Sequence, residues 1–149
     1  MARLAHQTAP GGATQTLLNI VPCGGPASHA SATPLIVKQF EFDPSQYAME
    51  AAVLSLVLRA TAANGVSPLT TNVQLFNVTH ADLVAQLQFI DTTTPGKQEI
   101  ALAIGAGGGQ VDNSAKIYEI RVFVDAPSGP SDTIELGSVE LRVTNTITG

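Results

Sequence analysis

The sequence predicts an all-β protein: an antiparallel, jelly-roll-like β-sandwich with an extended N-terminal arm. From Pro34 onward, short apolar runs alternate with clusters of turn residues, a spacing typical of a sandwich or barrel. Within several runs, apolar and polar residues alternate with the period of two that a half-buried strand requires. The first 33 residues differ, because they contain no aromatic side chain, whereas every aromatic residue of the chain lies between Phe40 and Phe123.

These differences divide the chain into an extended arm, residues 1–33, and a sandwich body, residues 34–149. A chain of 149 residues fits one domain, so the arm is not a second domain. The arm is rich in glycine, proline and small residues, a composition typical of a flexible tail. It also carries little charge, which suits an arm laid across a neighbouring subunit, because few charges need desolvating. The candidate partner-binding residues are its one apolar cluster: Leu17, Leu18, Ile20 and Val21.

Strands are predicted in the body over runs bounded by turn residues. In the first run, Ile36 shares a face with Phe40 and Phe42. In a later run, apolar residues alternate with glutamines, which places Leu83 on the core face with Leu87. The predicted runs are 35–42, 73–79, 83–89, 100–104 and 118–124.

The last run contains a break in its alternation. Ile134 and Leu136 have one parity, whereas Val139 and Leu141 have the other, so a strict period of two would expose one set to water. An extra residue at Gly137-Ser138 restores the phase, and we predict a β-bulge there. The alternative is a chain that breaks into two strands at that point.

The segment 44–60 is ambiguous between strand and helix. Asp43-Pro44 is a good helix start, and the residues that follow are rich in Ala, Leu and Met. Leu54, Leu56 and Leu58 nevertheless alternate with other residues as they would in a strand. We expect a helical turn near 44–49 and a strand over about 51–61, and a longer helix stays open.

Charge and hydropathy exclude several classes of partner. The formal net charge is −5, and all twelve acidic residues follow residue 40. An acidic body lacks the clustered Lys and Arg that bind a phosphate backbone, so nucleic acid is not expected as a partner. No apolar run approaches the roughly 20 residues that cross a bilayer, so no membrane is expected either. The first residues lack the apolar core of a secretion signal, so we expect synthesis in a cytoplasm.

The residue types that carry chemistry are scattered. The single cysteine, Cys23, has no neighbouring base, and each histidine lies in the arm or in a turn. The glycine-rich segment 105–109 lacks the Lys-Ser/Thr pair of a phosphate-binding loop. Tryptophan is absent, which counts against a sugar-binding platform. The sequence therefore predicts no catalytic, cofactor-binding or metal-ligating residue and a protein that is not an enzyme. A small hydrolase remains the alternative, if the fold brings carboxylates together.

A resemblance runs from Phe40 to Val143. Its most diagnostic piece is Leu75-Phe76-Asn77-Val78-Thr79, and it also includes the runs 52–61 and 138–143. This order of strands resembles a jelly-roll β-sandwich module of structural proteins in tailed-bacteriophage particles.

The resemblance implies a non-enzymatic virion protein, a capsid decoration (cement) subunit. Such a subunit would be made in the host cytoplasm, bind the major capsid protein on the outer surface of the shell, and stabilise the shell through its arm and its contacts between subunits. It would also associate with itself, with a homotrimer preferred, and need no cofactor. The alternative is a tail, fibre or glycan-binding β-sandwich module.

Overall fold

The computed structural model describes residues 14–47, 52–63, 69–90, 96–127, 129 and 131–148. Two antiparallel sheets form a sandwich, which confirms the predicted all-β class. No helix in these ranges is long and apolar enough to span a membrane. In chain order the strands are β1 (Thr14–Gly24), β2 (Ala27–His29), β3 (Leu35–Phe42), β4 (Ala52–Ala63), β5 (Thr70–Asn77), β6 (Asp82–Ile90), β7 (Gly96–Leu102), β8 (Lys116–Val124) and β9 (Thr133–Thr148).

The strand order is that of a jelly roll. Sheet A has the order β1-β9-β4-β7, with β2 also pairing β9, and sheet B has the order β3-β8-β5-β6. The pairs β1–β9, β3–β8, β4–β7 and β5–β6 are nested along the chain, as they are when one long hairpin is rolled into two Greek keys. Most connections therefore cross from one sheet to the other, including the glycine-rich segment 105–109, which links β7 to β8.

The core fills the space between the two sheets. Leu54, Leu56 and Leu58 of β4 point inward and are almost fully buried, as are Ile120 and Val122 of β8. Burial of each such side chain stabilises the fold by about 1.5–3 kcal/mol, which favours a strand over a helix for β4.

The segment before β4 forms the expected helical turn. A short 3-10 helix spans Pro44–Gln46. The Asp43 side chain caps it by accepting a hydrogen bond from the Ser45 backbone N–H at 3.0 Å. Residues 48–51 lie outside the described residues, so the part of the predicted turn beyond Tyr47 is not tested.

The predicted bulge at Gly137-Ser138 is confirmed. Arg59 of β4 pairs with Ser138 and Ala60 pairs with Leu136, so Gly137 is the extra residue. The extra residue lets the buried side chains on both sides of it, Leu136 and Val139, face the same core. A Cβ at this position would lie 3.3 Å from the Arg59 carbonyl oxygen, a tight contact that glycine avoids.

Two bulges that the alternation did not reveal reverse two predicted orientations. In β3 the register shifts between Ile36 and Lys38, so Val37 packs on the core and Ile36 is exposed. In β6 the shift skips Val84, so Leu83 faces outward and is 41% exposed. The expectations that Ile36 shares a face with Phe40 and Phe42 and that Leu83 lies on the core face were therefore wrong, because one added residue turns the side chains before it to the other face.

The structure also corrects the division at residue 33. β1 and β2 are hydrogen-bonded along β9 and form one edge of sheet A. Cys23 is fully buried in the core, and Val21 packs against it. Without these strands β9 would lack the partner that completes the nested pairing. The described part of the predicted arm, residues 14–33, thus contains the first two strands of the sandwich, β1 and β2, and residues 1–13 lie outside the described residues.

Replacement of Gly137 by valine should lower the free energy of unfolding by about 1–3 kcal/mol, because the new side chain crowds the Arg59 carbonyl and loosens the β4–β9 pairing. Chemical denaturation measures the change. Gly129→Val is the matched control, since a Cβ at Gly129 meets nothing within 4 Å. Equal stability of the Gly137→Val protein and the wild type would contradict the role assigned to the bulge.

Deletion of residues 1–30 should destabilise the sandwich strongly. The deletion removes β1 and β2, uncovers the edge of β9, and takes the Cys23 and Val21 side chains out of the core. Loss of these contacts costs on the order of 3–5 kcal/mol, a large part of the stability of a domain of this size. Thermal unfolding of the truncated protein provides the measurement. A melting temperature within a few degrees of the full chain would show that the body folds without its first strand.

Candidate interaction surface

The four predicted partner-binding residues lie on different faces of β1. Leu18 and Ile20 point away from the core and are 50% and 52% exposed. Val21 points inward and packs against the core. Leu17 pairs with Asn145 of β9 in the strand register, and its side chain lies outside the described part of the structure. Only Leu18 and Ile20 are therefore shown in position to contact a partner.

A third apolar side chain lies close to these two on the outer face of sheet A. Thr144 of β9 pairs with Leu18 on one side and with Val53 of β4 on the other. Side chains that are directly opposite share one face of a sheet, and Val53 is 59% exposed. We call Leu18, Ile20 and Val53 the apolar patch. Val53 was missed because its segment was ambiguous between helix and strand, which left its face undefined.

The charged groups nearest the patch make contacts within the chain. Arg142 of β9 lies opposite Ile20 and forms an ion pair with Glu140 on the same strand at 2.9 Å. On the β7 side, the carboxylate of Glu99 accepts a hydrogen bond from the Ser55 hydroxyl at 3.3 Å. Because the charge of Arg142 is paired with that of Glu140, burying the patch against another protein does not require the desolvation of an isolated ion there.

The outer face of sheet B has a different character, because its polar side chains bond to one another. The Arg121 guanidinium lies 3.6 Å from the ring centroid of Phe76 and also pairs with the buried carboxylate of Glu119. The side-chain oxygen of Asn72 accepts hydrogen bonds from Gln86 at 2.9 Å and from Gln88 at 3.1 Å. These polar groups are thus already paired within the chain.

The Leu75–Thr79 box closes the end of β5 through a buried amide. The Asn77 side-chain NH₂ donates to Asp112 at 3.0 Å, and its oxygen accepts the His80 backbone N–H at 3.1 Å. Asp112 also lies 3.2 Å from the His80 ring, and its backbone N–H donates a hydrogen bond to the Tyr118 hydroxyl oxygen at 3.0 Å. Asn77 therefore ties the β5–β6 turn to the segment before β8, which is a structural role.

Of the residues considered for chemistry, the structure brings His80 and Asp112 together as a pair. Burial raises the pKa of the Cys23 thiol to about 12, so at neutral pH the thiol stays protonated. The His29 ring bonds to the Thr33 carbonyl within its own loop. No group of three or more His, Cys, Asp or Glu side chains in the described ranges is close enough to hold a metal ion. His6 lies outside those ranges.

Comparison with known proteins bears on the fold. No protein-family model and no curated protein matches the chain. It is similar to a solved chain of infectious bursal virus-derived T=1 particles, with a TM-score of 0.50 and 11% identity, over 91% of this chain and 32% of that one. The VP2 subviral particle of infectious bursal disease virus is similar with a TM-score of 0.47 and 9% identity, over 91% of this chain and 34% of that one.

Another solved structure with some similarity is that of the disulfide-linked pili of Bacillus endospore appendages, with a TM-score of 0.39 and 13% identity, over 95% of this chain and 96% of that one. The chain spans about a third of the length of the virus chains it matches. At 11% identity, the likeness to the virus-derived particle supports the sandwich fold.

Substitution of Asn77 by alanine should cost about 2–3 kcal/mol of unfolding free energy, because it leaves the His80 backbone N–H without its acceptor and removes one of the two contacts of the Asp112 carboxylate. The measurement is equilibrium denaturation. Gln74→Ala provides the control, since Gln74 makes an exposed side-chain hydrogen bond to Gln86, and its loss should cost less than about 1 kcal/mol. Equal effects of the two substitutions would remove the structural role of the buried amide.

Proposed function

We propose that this protein is a non-enzymatic structural subunit of a phage particle, a decoration (cement) subunit that binds the outer surface of the capsid. The observation that carries the proposal is the apolar patch, which a rigid jelly roll displays on the open face of sheet A. The nested strand order is shared with jelly rolls of viral capsids. The fold likeness to a chain from a virus-derived particle supports the same assignment.

The proposed mechanism is thermodynamic. A subunit that binds the assembled shell and not its separated components stabilises the shell by mass action. The apolar patch suits this role, because each half-exposed side chain gains about 1 kcal/mol when a partner covers it. The compensated charges of the Arg142–Glu140 pair beside the patch allow this surface to be buried at little electrostatic cost.

The proposed partners are the major capsid protein and further copies of the chain, on the surface of a virion assembled in a host cytoplasm. A trimer follows from the resemblance to cement proteins, and no described contact specifies threefold symmetry. The expectation was that a free arm contacts the partner. Because β1 belongs to the sandwich, the proposed contact is instead made by Leu18 and Ile20 on the outer face of the sheet.

Binding to DNA-filled heads tests the proposal. Heads prepared from a lysate that lacks this gene should take up the purified protein to a saturating number of copies, and they should then release their DNA at a higher temperature. Val53→Asp should weaken occupancy at least about tenfold, since it places an unpaired charge in the covered patch. Leu83→Asp is the matched control: Leu83 is a half-exposed apolar side chain on the outer face of sheet B, and its replacement should leave occupancy unchanged.

Three results would contradict the proposal. The first is absence of binding to heads, and the second is equal loss of binding in the Val53→Asp and Leu83→Asp proteins. The third is co-purification of the protein with tails together with binding to host-surface glycans, which would support the tail, fibre or glycan-binding alternative.

A further inference from the structure

The edge strands of the sandwich differ in how well they are protected from pairing with another strand. An edge strand exposes a row of unpaired N–H and C=O groups, and proteins usually block such rows with charges, bulges or covering groups. In the described chain, β7 is one edge of sheet A and carries Lys97 and Glu99. Charged side chains of this kind oppose the approach of a second strand.

Both edges of sheet B are blocked as well. β3 carries Lys38 and Glu41 and is interrupted by the bulge at Val37. β6 is covered from the side by β7, because the Gln98 side chain donates a hydrogen bond to the Gln88 carbonyl oxygen.

β1 lacks all of these protections over most of its length. No residue of Thr14–Gly24 is charged. Among the described strands it is hydrogen-bonded only to β9, and it forms the other edge of sheet A. Its C-terminal end is covered, because Gly24 packs closely against Val37 and Lys38 of β3, and Pro22 has no N–H to donate. With respect to the described residues, the free edge is therefore Thr14–Val21.

We propose that two copies of this chain pair along β1, antiparallel and about a twofold axis, so that sheet A continues from one subunit into the next. The axis stands perpendicular to the sheet, because only then do the outer faces of both copies lie on the same side. Directly opposed residues share a face, so at the axis a residue must lie opposite the same residue of the second copy. An axis at Asn19 places Leu18 opposite Ile20 of the second copy, and Ile20 opposite its Leu18. Both side chains are half exposed in the single chain, and in the pair each is partly covered by the other.

The lack of charge on β1 favours a second copy as the occupant. Antiparallel self-pairing about a twofold axis brings equivalent residues close together, so a charged edge places like charges near one another. β1 avoids this repulsion completely. The formal charge of −5 on each subunit opposes association at long range, so added salt should strengthen the pair. A twofold pair is isologous and closes as a dimer, which differs from the trimer implied by the resemblance.

The mass of the full chain in solution tests this inference, without particles and independently of the proposed function. Sedimentation velocity at increasing concentration should show a dimer of the 15.4 kDa chain. Ile20→Lys should raise the dimer dissociation constant at least about tenfold, because it places two like charges beside the seam. Leu83→Lys, on the covered edge strand β6, is the matched control and should leave the dimer unchanged. Circular dichroism should confirm that both variants are folded.

Hydrogen exchange of the β1 backbone provides a second measurement. In the dimer, the β1 amides that point away from β9 are bonded to the second copy, so their protection should fall on dilution and in the Ile20→Lys protein. A monomer at all concentrations, a trimer mass, or a dimer that Ile20→Lys leaves intact would overturn the proposal. Protection of β1 that arises only on capsids would also overturn it, because the occupant would then be a strand of another protein.

Discussion

The pairing of β9 with strands on both of its edges is the constraint on which sheet A depends. One edge of β9 binds β1 and β2, and the other binds β4, so the chain cannot close its sandwich until its first and last strands have met. The bulge at Gly137 lies where these pairings change register. Close to it, Gly25 leaves no room for a Cβ against the Gly137 carbonyl, so the link between β1 and β2 fits the bulge of β9. The glycines at this crossing allow β1, β2 and β4 all to pair with β9 in one sheet.

The class of fold could be predicted from the sequence because apolar residues recur at every second position wherever a strand is regular. β4 and β8 show this, since their inward-facing leucines, isoleucine and valines are buried as the alternation requires. The bulge of β9 could also be predicted, because a glycine marks the position where the parity changes. The bulges at Val37 and Val84 could not, because valine fits a regular strand and nothing local distinguishes an extra residue. Ile36 and Leu83 were therefore placed on the wrong face.

The first strand was missed for a different physical reason. β1 is an edge strand that contributes few side chains to the core, so it needs neither the aromatic residues nor the long apolar runs of the central strands. Its composition therefore resembles that of a tail. The number of strands nevertheless indicated that one was missing. The runs after Pro34 leave the last strand of the jelly roll, β9, without the first strand that pairs with it. The candidate surface was predicted in part for the same reason: the cluster at 17–21 was recognised, but its division into inward and outward side chains requires the register with β9.

The two faces of β1 serve two different requirements. Near its C-terminal end, Cys23 and Val21 anchor the strand in the core. The residue of β9 that pairs with Leu17 in the register is Asn145, a buried amide with neither polar atom hydrogen-bonded. Leaving such a group unpaired costs about 1–3 kcal/mol of folding free energy, and this cost falls beside the N-terminal part of β1. A second strand on the free edge of β1 would add backbone hydrogen bonds to the same part of the strand and so offset that cost.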